Sequence, residues 1–255
     1  MSFDVSADAY DRFMGRYSAP LSRQLADLAG VAAGQRALDV GCGSGMLTGE
    51  LVGRLGAGSV AAVDPSERFV EAVRGRFPGV DVRRGAAEEL PFGDGEFDAA
   101  LSQLVVHFMR DPVAGLREMA RVTRPGGAVA ASVWDLGGGR APISPFWRAA
   151  VALDPDARDE MAVAGGRAGH LEALFAEAGI KDVRGAEQPA VVEHQTFDEW
   201  FEPFTLGVGP AGSYLVGLDA ERRAAVRERC LRDLGDGPFT IPAFVWAAVG
   251  VSPAR

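Results

Sequence analysis

The chain has 255 residues, of which 47% are hydrophobic, and 26 basic against 35 acidic side chains give it a formal net charge of −9. A chain of this length suits one large α/β domain with an elaborated cover. Acidic and basic residues are interspersed, whereas nucleic-acid-binding domains usually carry a basic patch, so the composition disfavours a nucleic-acid partner.

The sequence also shows none of the patterns typical of membrane, secreted or metal-binding proteins. No apolar run approaches the ~18 residues needed to span a bilayer, and residues 1–13 have neither the basic flank nor the apolar stretch of a signal peptide. The two cysteines, Cys42 and Cys230, are too few for a disulfide scaffold or a zinc cluster. The same scarcity of cysteines predicts a cytoplasmic location. HExxH and paired-cysteine motifs are absent as well, so the sequence predicts no metal site.

Residues 1–30 are predicted to form an N-terminal helical cap. Apolar residues within 6–29 recur with helical spacing in two short stretches, the first carrying Met14 and the second carrying Leu21 and Leu25 on one face. This pattern predicts two short amphipathic helices that precede the first strand.

Strands and helices alternate between residues 36 and 134. Such alternation is typical of a parallel sheet that is covered by helices on both faces, and right-handed crossovers place its ligand-binding loops along one edge. The predicted strands are 36–40, 59–63, 81–84, 97–102 and 128–134, with helices at 46–55, 67–77 and 113–122. Residues 124–127 (RPGG) are predicted to form a turn into the fifth strand.

The second half of the chain adds two strands and a candidate lid. Residues 197–217 are aromatic and glycine-rich, and we expect them to form an insertion over the sheet edge. Since no repeat or linker interrupts the chain, residues 1–255 are predicted to form one α/β domain, with a Rossmann-like, seven-stranded, mostly parallel sheet. The further predicted strands are 183–193 and 239–249, and the further helices are 145–152, 170–178 and 219–234.

Residues 38–45 (LDVGCGSG) are the most informative segment. A strand that breaks into glycines at Gly41, Gly43 and Gly45 lets the backbone pass close to a ligand, because no Cβ intervenes. The helix that follows would point free N–H groups at that ligand. A dinucleotide loop has the pattern GxGxxG, but Met46 stands where its third glycine would be.

The pattern present, D-x-G-x-G-x-G, resembles the first motif of class I methyltransferases that use S-adenosylmethionine (SAM). The resemblance is specific over residues 36–134, the expected SAM-binding core. It implies that the backbone of Gly41, Cys42 and Gly43 lines the methionine moiety and that Asp39 orients its ammonium group. S-adenosylhomocysteine (SAH) would be the product.

The same resemblance gives roles to the residues that follow the second predicted strand. Asp64 would accept hydrogen bonds from the ribose hydroxyls, and Pro65 and Ser66 would flank the adenine. A nicotinamide dinucleotide site uses an acid at the same spacing, so Asp64 supports an adenosine ligand without choosing between the two cofactors.

Residues 85–92 (GAAEELPF) resemble the loop of this family at the adenine edge. The backbone N–H of Ala87 would reach the ring. Members of the family often carry an acid where this chain has Ala86, and Glu88 or water would substitute for that acceptor. This departure from the family pattern concerns the adenine contact alone.

Four further candidate residues lie outside these loops. Residues 10–17 (YDRFMGRY) resemble the helix that covers the cofactor in the ubiquinone/menaquinone-biosynthesis-like branch, with Tyr10 as one contact and Arg16 as a clamp on the methionine carboxylate. Gln103 would turn its backbone carbonyl toward the methionine amine. His107 follows the fourth predicted strand and is the candidate general base, whereas His170 and His194 are assigned no role.

The resemblance implies an enzyme that transfers the methyl group of SAM to a small-molecule acceptor by in-line displacement. Two other functions stay open. One is an NAD(P)-dependent oxidoreductase on a doubly wound sheet, and the other is a SAM-binding regulatory protein without catalysis. The sequence does not identify the acceptor or the oligomeric state.

Overall fold

The computed structural model describes residues 14–157, 160 and 162–254. Tyr10 and the part of the first predicted N-terminal helix that precedes Met14 therefore lie outside the described residues. Seven strands form one sheet in the order β3-β2-β1-β4-β5-β7-β6. The strands are β1 (Ala37–Val40), β2 (Val60–Asp64), β3 (Asp81–Arg84), β4 (Phe97–Gln103), β5 (Thr123–Trp134), β6 (Lys181–His194) and β7 (Phe239–Val251).

Strands β1 to β5 pair in parallel, and β7 pairs antiparallel with both β5 and β6. The predicted Rossmann-like, mostly parallel, seven-stranded sheet is confirmed. The helices in the described part of the chain are α1 (Arg16–Leu28), α2 (Met46–Leu55), α3 (Glu67–Arg76), α4 (Pro112–Val122), α5 (Ser144–Leu153), α6 (His170–Glu177), α7 (Phe197–Thr205), α8 (Gly209–Gly217) and α9 (Ala220–Leu234).

Helices cover both faces of the sheet because side chains alternate along each strand. All four residues of β1 are buried. Leu38 and Val40 pack with residues of α4 and α6 in one apolar cluster. Ala37 packs with residues of α1 and α2 in another. A strand that is buried on both sides reads as a continuous apolar run, which is why the sequence pattern located it.

The second half of the chain forms its own apolar cluster beside this sheet. Side chains of α1, α5, α7, α8 and α9 meet there with the outer parts of β6 and β7. The aromatic residues of the predicted lid are packed in this cluster, with Phe146 and Phe204 stacked 4.7 Å apart between ring centroids. Residues 197–217 are thus two helices, α7 and α8, held by a buried aromatic core.

Residues 124–127 differ from the prediction of a turn. They belong to β5, which begins at Thr123 rather than at residue 128. The amide of Gly126 donates to the carbonyl of Ser252, and the amide of Ser252 donates to the carbonyl of Gly127. The end of the chain therefore extends the strand, and this long-range partner is invisible in a local pattern.

Helix α1 covers part of the edge strand β6. Gln24 donates to the carbonyl of Pro189 and Arg16 donates to the carbonyl of Glu193, at 2.9 and 2.7 Å. These bonds occupy carbonyls that an edge strand would otherwise expose. None of the helices in the described part of the chain combines the length and the apolar character that a membrane crossing requires.

Candidate functional site

The glycine loop follows β1 at the carboxyl edge of the sheet. Gly41, Gly43 and Gly45 have φ values of 77°, 51° and 89°, a backbone region that favours glycine. The amides of Gly41 and Cys42 both donate to the carbonyl of Val63 in β2, at 2.8 and 3.0 Å. The loop is thus fixed by internal bonds, and these two amides already have partners within the protein.

Gly43 is the point at which the loop is open. A Cβ built on Gly43 meets no described atom within 4 Å, whereas one on Gly41 would lie 2.6 Å from both methyl groups of Val105. The backbone at Gly43 can therefore be approached closely by a ligand. At Gly41, by contrast, glycine is required by the neighbouring side chain.

Asp39 lies beneath the loop and is 1% exposed. Its Oδ2 accepts a hydrogen bond from Oγ1 of Thr48 at 2.6 Å. Burial, with a smaller contribution from the nearby Asp64, raises the pKa of Asp39 to about 7 against the opposing effect of the Thr48 bond. Asp39 is consequently a carboxyl group that exchanges its proton near neutral pH.

Asp64 ends β2 beside the loop and is 6% exposed. Its Oδ2 accepts from the amide of Gly43 at 3.0 Å, and its Oδ1 accepts from the amide of Ser66 at 2.8 Å. Burial raises the pKa of Asp64, and the two backbone bonds oppose this effect. Pro65 is exposed, and its carbonyl accepts from Arg84 at 3.1 Å.

A small cavity, here called the loop cavity, lies over this loop. Its volume is about 40 Å³, and Oγ of Ser44 and Oε1 of Gln103 in its walls are buried without hydrogen-bond partners among the described residues. Nε2 of Gln103 donates to the carbonyl of Ser18 in α1 at 2.9 Å. Leu104 has a φ of 62°, a strained backbone region of the kind that clusters at functional sites.

The sequence analysis did not assign a role in the site to six residues that line this cavity: Ser18, Ser44, Met46, Leu47, Leu104 and Val105. Ser44 stands inside the glycine motif, and its spacing alone gave no reason to single out its hydroxyl. The positive φ of Leu104 has no signal in the sequence, because leucine rarely adopts it.

The predicted adenine-edge loop is also internally bonded. Ala86 pairs with Glu89 in an isolated antiparallel bridge, and Ala87 packs against the apolar cluster of α4. Oε1 of Glu88 accepts from the amides of Arg110 and Asp111, at 2.7 and 3.3 Å. The structure gives that carboxylate oxygen backbone partners rather than leaving it directed to a ligand.

His107 lies in a second small cavity, the His107 cavity, of about 40 Å³. Its Nδ1 is buried and has no hydrogen-bond partner in the described part of the chain. Burial lowers the pKa of His107 to about 3, so the ring is neutral at physiological pH. The carboxylate of Glu160 reaches the same cavity and accepts from Nε1 of Trp147 at 2.9 Å.

A third cavity, the Tyr17 cavity, has a volume of about 450 Å³ and lies between α1 and α7. Arg16 is in its wall and forms an ion pair with Glu199 of α7. The structure thus engages Arg16 with α7 and β6 and places it in this cavity rather than among the residues that line the loop cavity.

The three cavities form a row. Leu104 lines both the loop cavity and the His107 cavity, and Met14 and Ile143 line both the His107 cavity and the Tyr17 cavity. The loop cavity, at one end of the row, brings together five of the predicted site residues: Asp39, Gly41, Cys42, Gly43 and Gln103. The described residues include no cluster of three or more His, Cys, Asp or Glu side chains that could hold a metal.

Sequence comparisons identify known proteins that this chain resembles. Residues 38–131 match a family model described as a methyltransferase domain. An uncharacterized methyltransferase of Mycobacterium tuberculosis is 38% identical over 135 residues, which are 53% of this chain and 52% of that protein. A second, uncharacterized protein of the same organism is 32% identical over 236 residues, covering 86% of this chain and 82% of its own length.

The fold is shared more widely than the sequence. The YcgJ protein of Bacillus subtilis superposes with a TM-score of 0.59 at 18% identity, over 92% of this chain and 98% of that one. At this identity the likeness concerns the fold alone. The chain spans about half the length of the first relatives that it matches. The matched region contains the glycine loop and its neighbours, and the match favours the methyltransferase interpretation over the dinucleotide one.

Proposed function

The chain belongs to the class I SAM-dependent methyltransferases, as its methyltransferase domain over residues 38–131 and its 38% identity to an uncharacterized methyltransferase indicate, and from this premise we propose that it transfers the methyl group of SAM to a small-molecule acceptor. The observation that carries the proposal is the pairing of two buried acids, Asp39 and Asp64, around an open glycine loop. An acid at each of two adjacent strand ends suits a ligand that has an ammonium group at one end and ribose hydroxyls at the other.

The residues present fit such a cofactor. Ser44 and Gln103 each carry a buried oxygen without a partner among the described residues beside the loop, and a polar ligand would supply the missing hydrogen bonds. Asp64 has lone pairs beyond those used by Gly43 and Ser66. Because the loop cavity is only about 40 Å³ in volume, binding requires its walls to move apart.

We assign the binding roles as follows. Asp39 would hold the ammonium group, Asp64 the ribose hydroxyls, and Gln103 the methionine amine through its backbone carbonyl. Contacts of Gly41, Cys42 and Gly43 with the methionine moiety, and of Pro65, Ser66, Ala86 and Ala87 with the adenine, remain part of the proposal. The partners that Glu88 and Arg16 already have make them weaker candidates than the sequence suggested.

When bound, SAM supplies a methyl group on a positively charged sulfur. The chain's own task is to hold the acceptor in line with that methyl group and to exclude water. The buried aromatic cluster around α7 and α8 suits that exclusion, and we propose that residues 197–217 act as a lid on a single domain of residues 1–255. His107 remains the candidate general base, and its lowered pKa makes the neutral ring a weak one.

The low pKa of His107 limits which protons it can remove from an acceptor. A base with a lowered pKa removes a proton efficiently only where the proton becomes acidic as the new bond forms. We therefore expect His107 to assist after the acceptor atom has begun to bind the methyl group rather than to ionise an unreactive alcohol. The acidic balance of the chain supports a small molecule over a nucleic acid as acceptor.

The proposal is tested by calorimetric titration with SAM, SAH and NADPH in parallel. Wild type is compared with Asp64→Ala and with Glu71→Ala, a matched exposed acid on α3. We expect SAM and SAH to bind to wild type and Glu71→Ala and to lose at least about tenfold in affinity for Asp64→Ala, the equivalent of one lost charged hydrogen bond. Tight NADPH binding without a response to SAM would instead support an oxidoreductase.

A second measurement separates an enzyme from a regulatory protein. SAH formation is followed after SAM is mixed with pools of phenols, amines, thiols and carboxylic acids. Turnover with one pool supports a transferase, whereas SAM binding without SAH formation in any pool favours the non-catalytic alternative.

A further inference from the structure

His107 lies in a short stretch of chain that contacts both loops predicted to bind the cofactor. This stretch, here called the His107 segment, comprises residues 105–111. At its start, the methyl groups of Val105 lie against Gly41 of the glycine loop, where a Cβ would be 2.6 Å from both of them. At its end, two backbone amides are bound by Glu88 of the adenine-edge loop. The position of His107 therefore depends on contacts with both loops.

The His107 segment is internally bonded, so a shift at one of its ends reaches the ring. The amide of Phe108 donates to the carbonyl of Val105 at 2.7 Å, and the amide of Met109 donates to the carbonyl of Val106 at 3.2 Å. The rings of His107 and Phe108 are 3.9 Å apart between centroids. These bonds make the segment a compact turn rather than a free loop.

The carboxylate of Glu88 binds the end of this segment from 22 residues away in the sequence. Its Oε1 accepts from the amide of Arg110 at 2.7 Å and from the amide of Asp111 at 3.3 Å. Asp111 is the N-cap of α4, so its amide has no carbonyl of the helix to bond. A negative charge is also favoured at this end of a helix by the helix dipole. Glu88 thus fixes the junction between the His107 segment and α4.

Glu88 belongs to the same hydrogen-bonded turn as the residues predicted to contact the adenine. Ala86 pairs with Glu89 in an antiparallel bridge, and the amide of Glu89 donates to the carbonyl of Ala86 at 3.2 Å. Ala87 and Glu88 lie between these two residues. Because the turn is closed by its own bonds, a ligand that shifts Ala86 or Ala87 shifts Glu88 as well.

An apolar contact lies beside the bonds of Glu88. Gly115 of α4 leaves room for two side chains, since a Cβ built there would lie 2.5 Å from Sδ of Met109 and 3.4 Å from Cβ of Ala87. Both side chains pack against the apolar cluster of α4. Dispersion contacts of this kind are non-directional, whereas hydrogen bonds also fix an orientation. Glu88 is therefore the side chain that can transmit a directed shift from one loop to the other segment.

We propose that Glu88 is a positioning residue for methyl transfer, which couples the adenine-edge loop to the His107 segment so that cofactor binding sets the place of His107 in the wall of its cavity. This inference rests on the proposed methyltransferase function and goes beyond it, because it links cofactor binding to the arrangement of the acceptor side. Glu88 acts through the amides of Arg110 and Asp111 and touches neither the cofactor nor the acceptor. Without these bonds the chain binds the cofactor, but His107 keeps the position that it has in the free protein.

The ring ¹⁵N signals of His107 report this coupling. Spectra that connect ring nitrogens to ring protons are recorded for the free protein and for the protein saturated with SAH, and His107→Phe assigns the signals among the three histidines of the chain. Wild type is compared with Glu88→Ala and with Glu88→Gln, whose side-chain oxygen can still accept from both amides. Glu89→Ala is the matched control, because Glu89 is the neighbouring, exposed acid of the same loop.

We expect SAH to shift the His107 signals in wild type, Glu88→Gln and Glu89→Ala and to leave them nearly unchanged in Glu88→Ala. Saturation removes differences in SAH affinity from this comparison. Hydrogen exchange of the Arg110 and Asp111 amides tests the bonds themselves and should be at least about tenfold faster in Glu88→Ala, as the loss of a hydrogen bond to a charged group predicts. A purely structural role of Glu88 would change this exchange but not the response of His107 to SAH.

Three results would overturn the proposal: an equal response of His107 to SAH in wild type and Glu88→Ala, no response in wild type, or unchanged exchange of the Arg110 amide in Glu88→Ala. If Glu88→Ala does not fold, Glu88→Asp takes its place in the same comparison, because its shorter side chain withdraws the carboxylate from both amides. Failure of SAH to bind to wild type would instead remove the proposed function, and this outcome is visible before the variants are compared.

Discussion

Replacing Asp39 by asparagine should make the protein's stability less sensitive to pH. Asp39 is 1% exposed, and burial raises its pKa from 3.8 to about 7. A carboxyl group whose pKa is higher in the folded state contributes stability at low pH, and this contribution is lost as pH rises through the folded value. Ionised Asp39 therefore destabilises the fold in alkaline solution, whereas an asparagine at this position cannot ionise.

The size of the effect follows from the two pKa values. With 3.8 for the unfolded chain and about 7 for the folded one, wild type should lose about 2.5 kcal/mol of unfolding free energy relative to Asp39→Asn between about pH 5 and pH 8. Most other titrating groups cancel in this difference because both proteins contain them. The asparagine oxygen can still accept the hydrogen bond of Thr48, so the comparison isolates the charge.

Urea unfolding of both proteins at the two pH values measures this difference directly. Glu71→Gln serves as the control, because it removes one exposed acid from the same chain. If wild type and Asp39→Asn differ by the same free energy at both pH values, Asp39 is ionised throughout. The account of a buried, proton-exchanging acid beneath the loop would then be wrong.

Three further predictions concern the same loop. Because the ammonium group of SAM or SAH would pair with ionised Asp39, the affinity for SAH should rise with pH through about 7 and then level off. Calorimetry in buffers of different ionisation enthalpy should detect the release of a proton on binding. An affinity that does not change with pH would argue against this contact. Thr48→Val removes the hydrogen bond that lowers the Asp39 pKa, so the midpoint of that profile should move to higher pH; an unmoved midpoint would contradict the assignment. Gly43→Ala and its control Gly30→Ala both place a Cβ in open space at φ values of 51° and 67°, and each should cost about 1–2 kcal/mol by urea unfolding, yet only Gly43→Ala should abolish SAH binding.

The sequence by itself determined the sheet, most element boundaries and the place of the site. These features depend on local patterns: a strand buried on both faces is a continuous apolar run, and a close turn at a strand end is a series of glycines. The predicted positions of β1 to β4 and of the glycine loop consequently agree with the structure within a few residues. The acids Asp39 and Asp64 were identified through the family resemblance, whose motif is also local.

The tertiary structure decided which of the other candidates face the site. Arg16 forms an ion pair with Glu199, and Tyr17 forms a hydrogen bond with His194, each across more than half of the chain. Glu88 is engaged by backbone amides of another segment. Such partners depend on how distant elements pack, and the burial that sets the pKa of Asp39 and His107 depends on the same packing. No spacing rule encodes that arrangement, so only the folded chain could show the row of cavities and the bonds of Glu88 to the His107 segment.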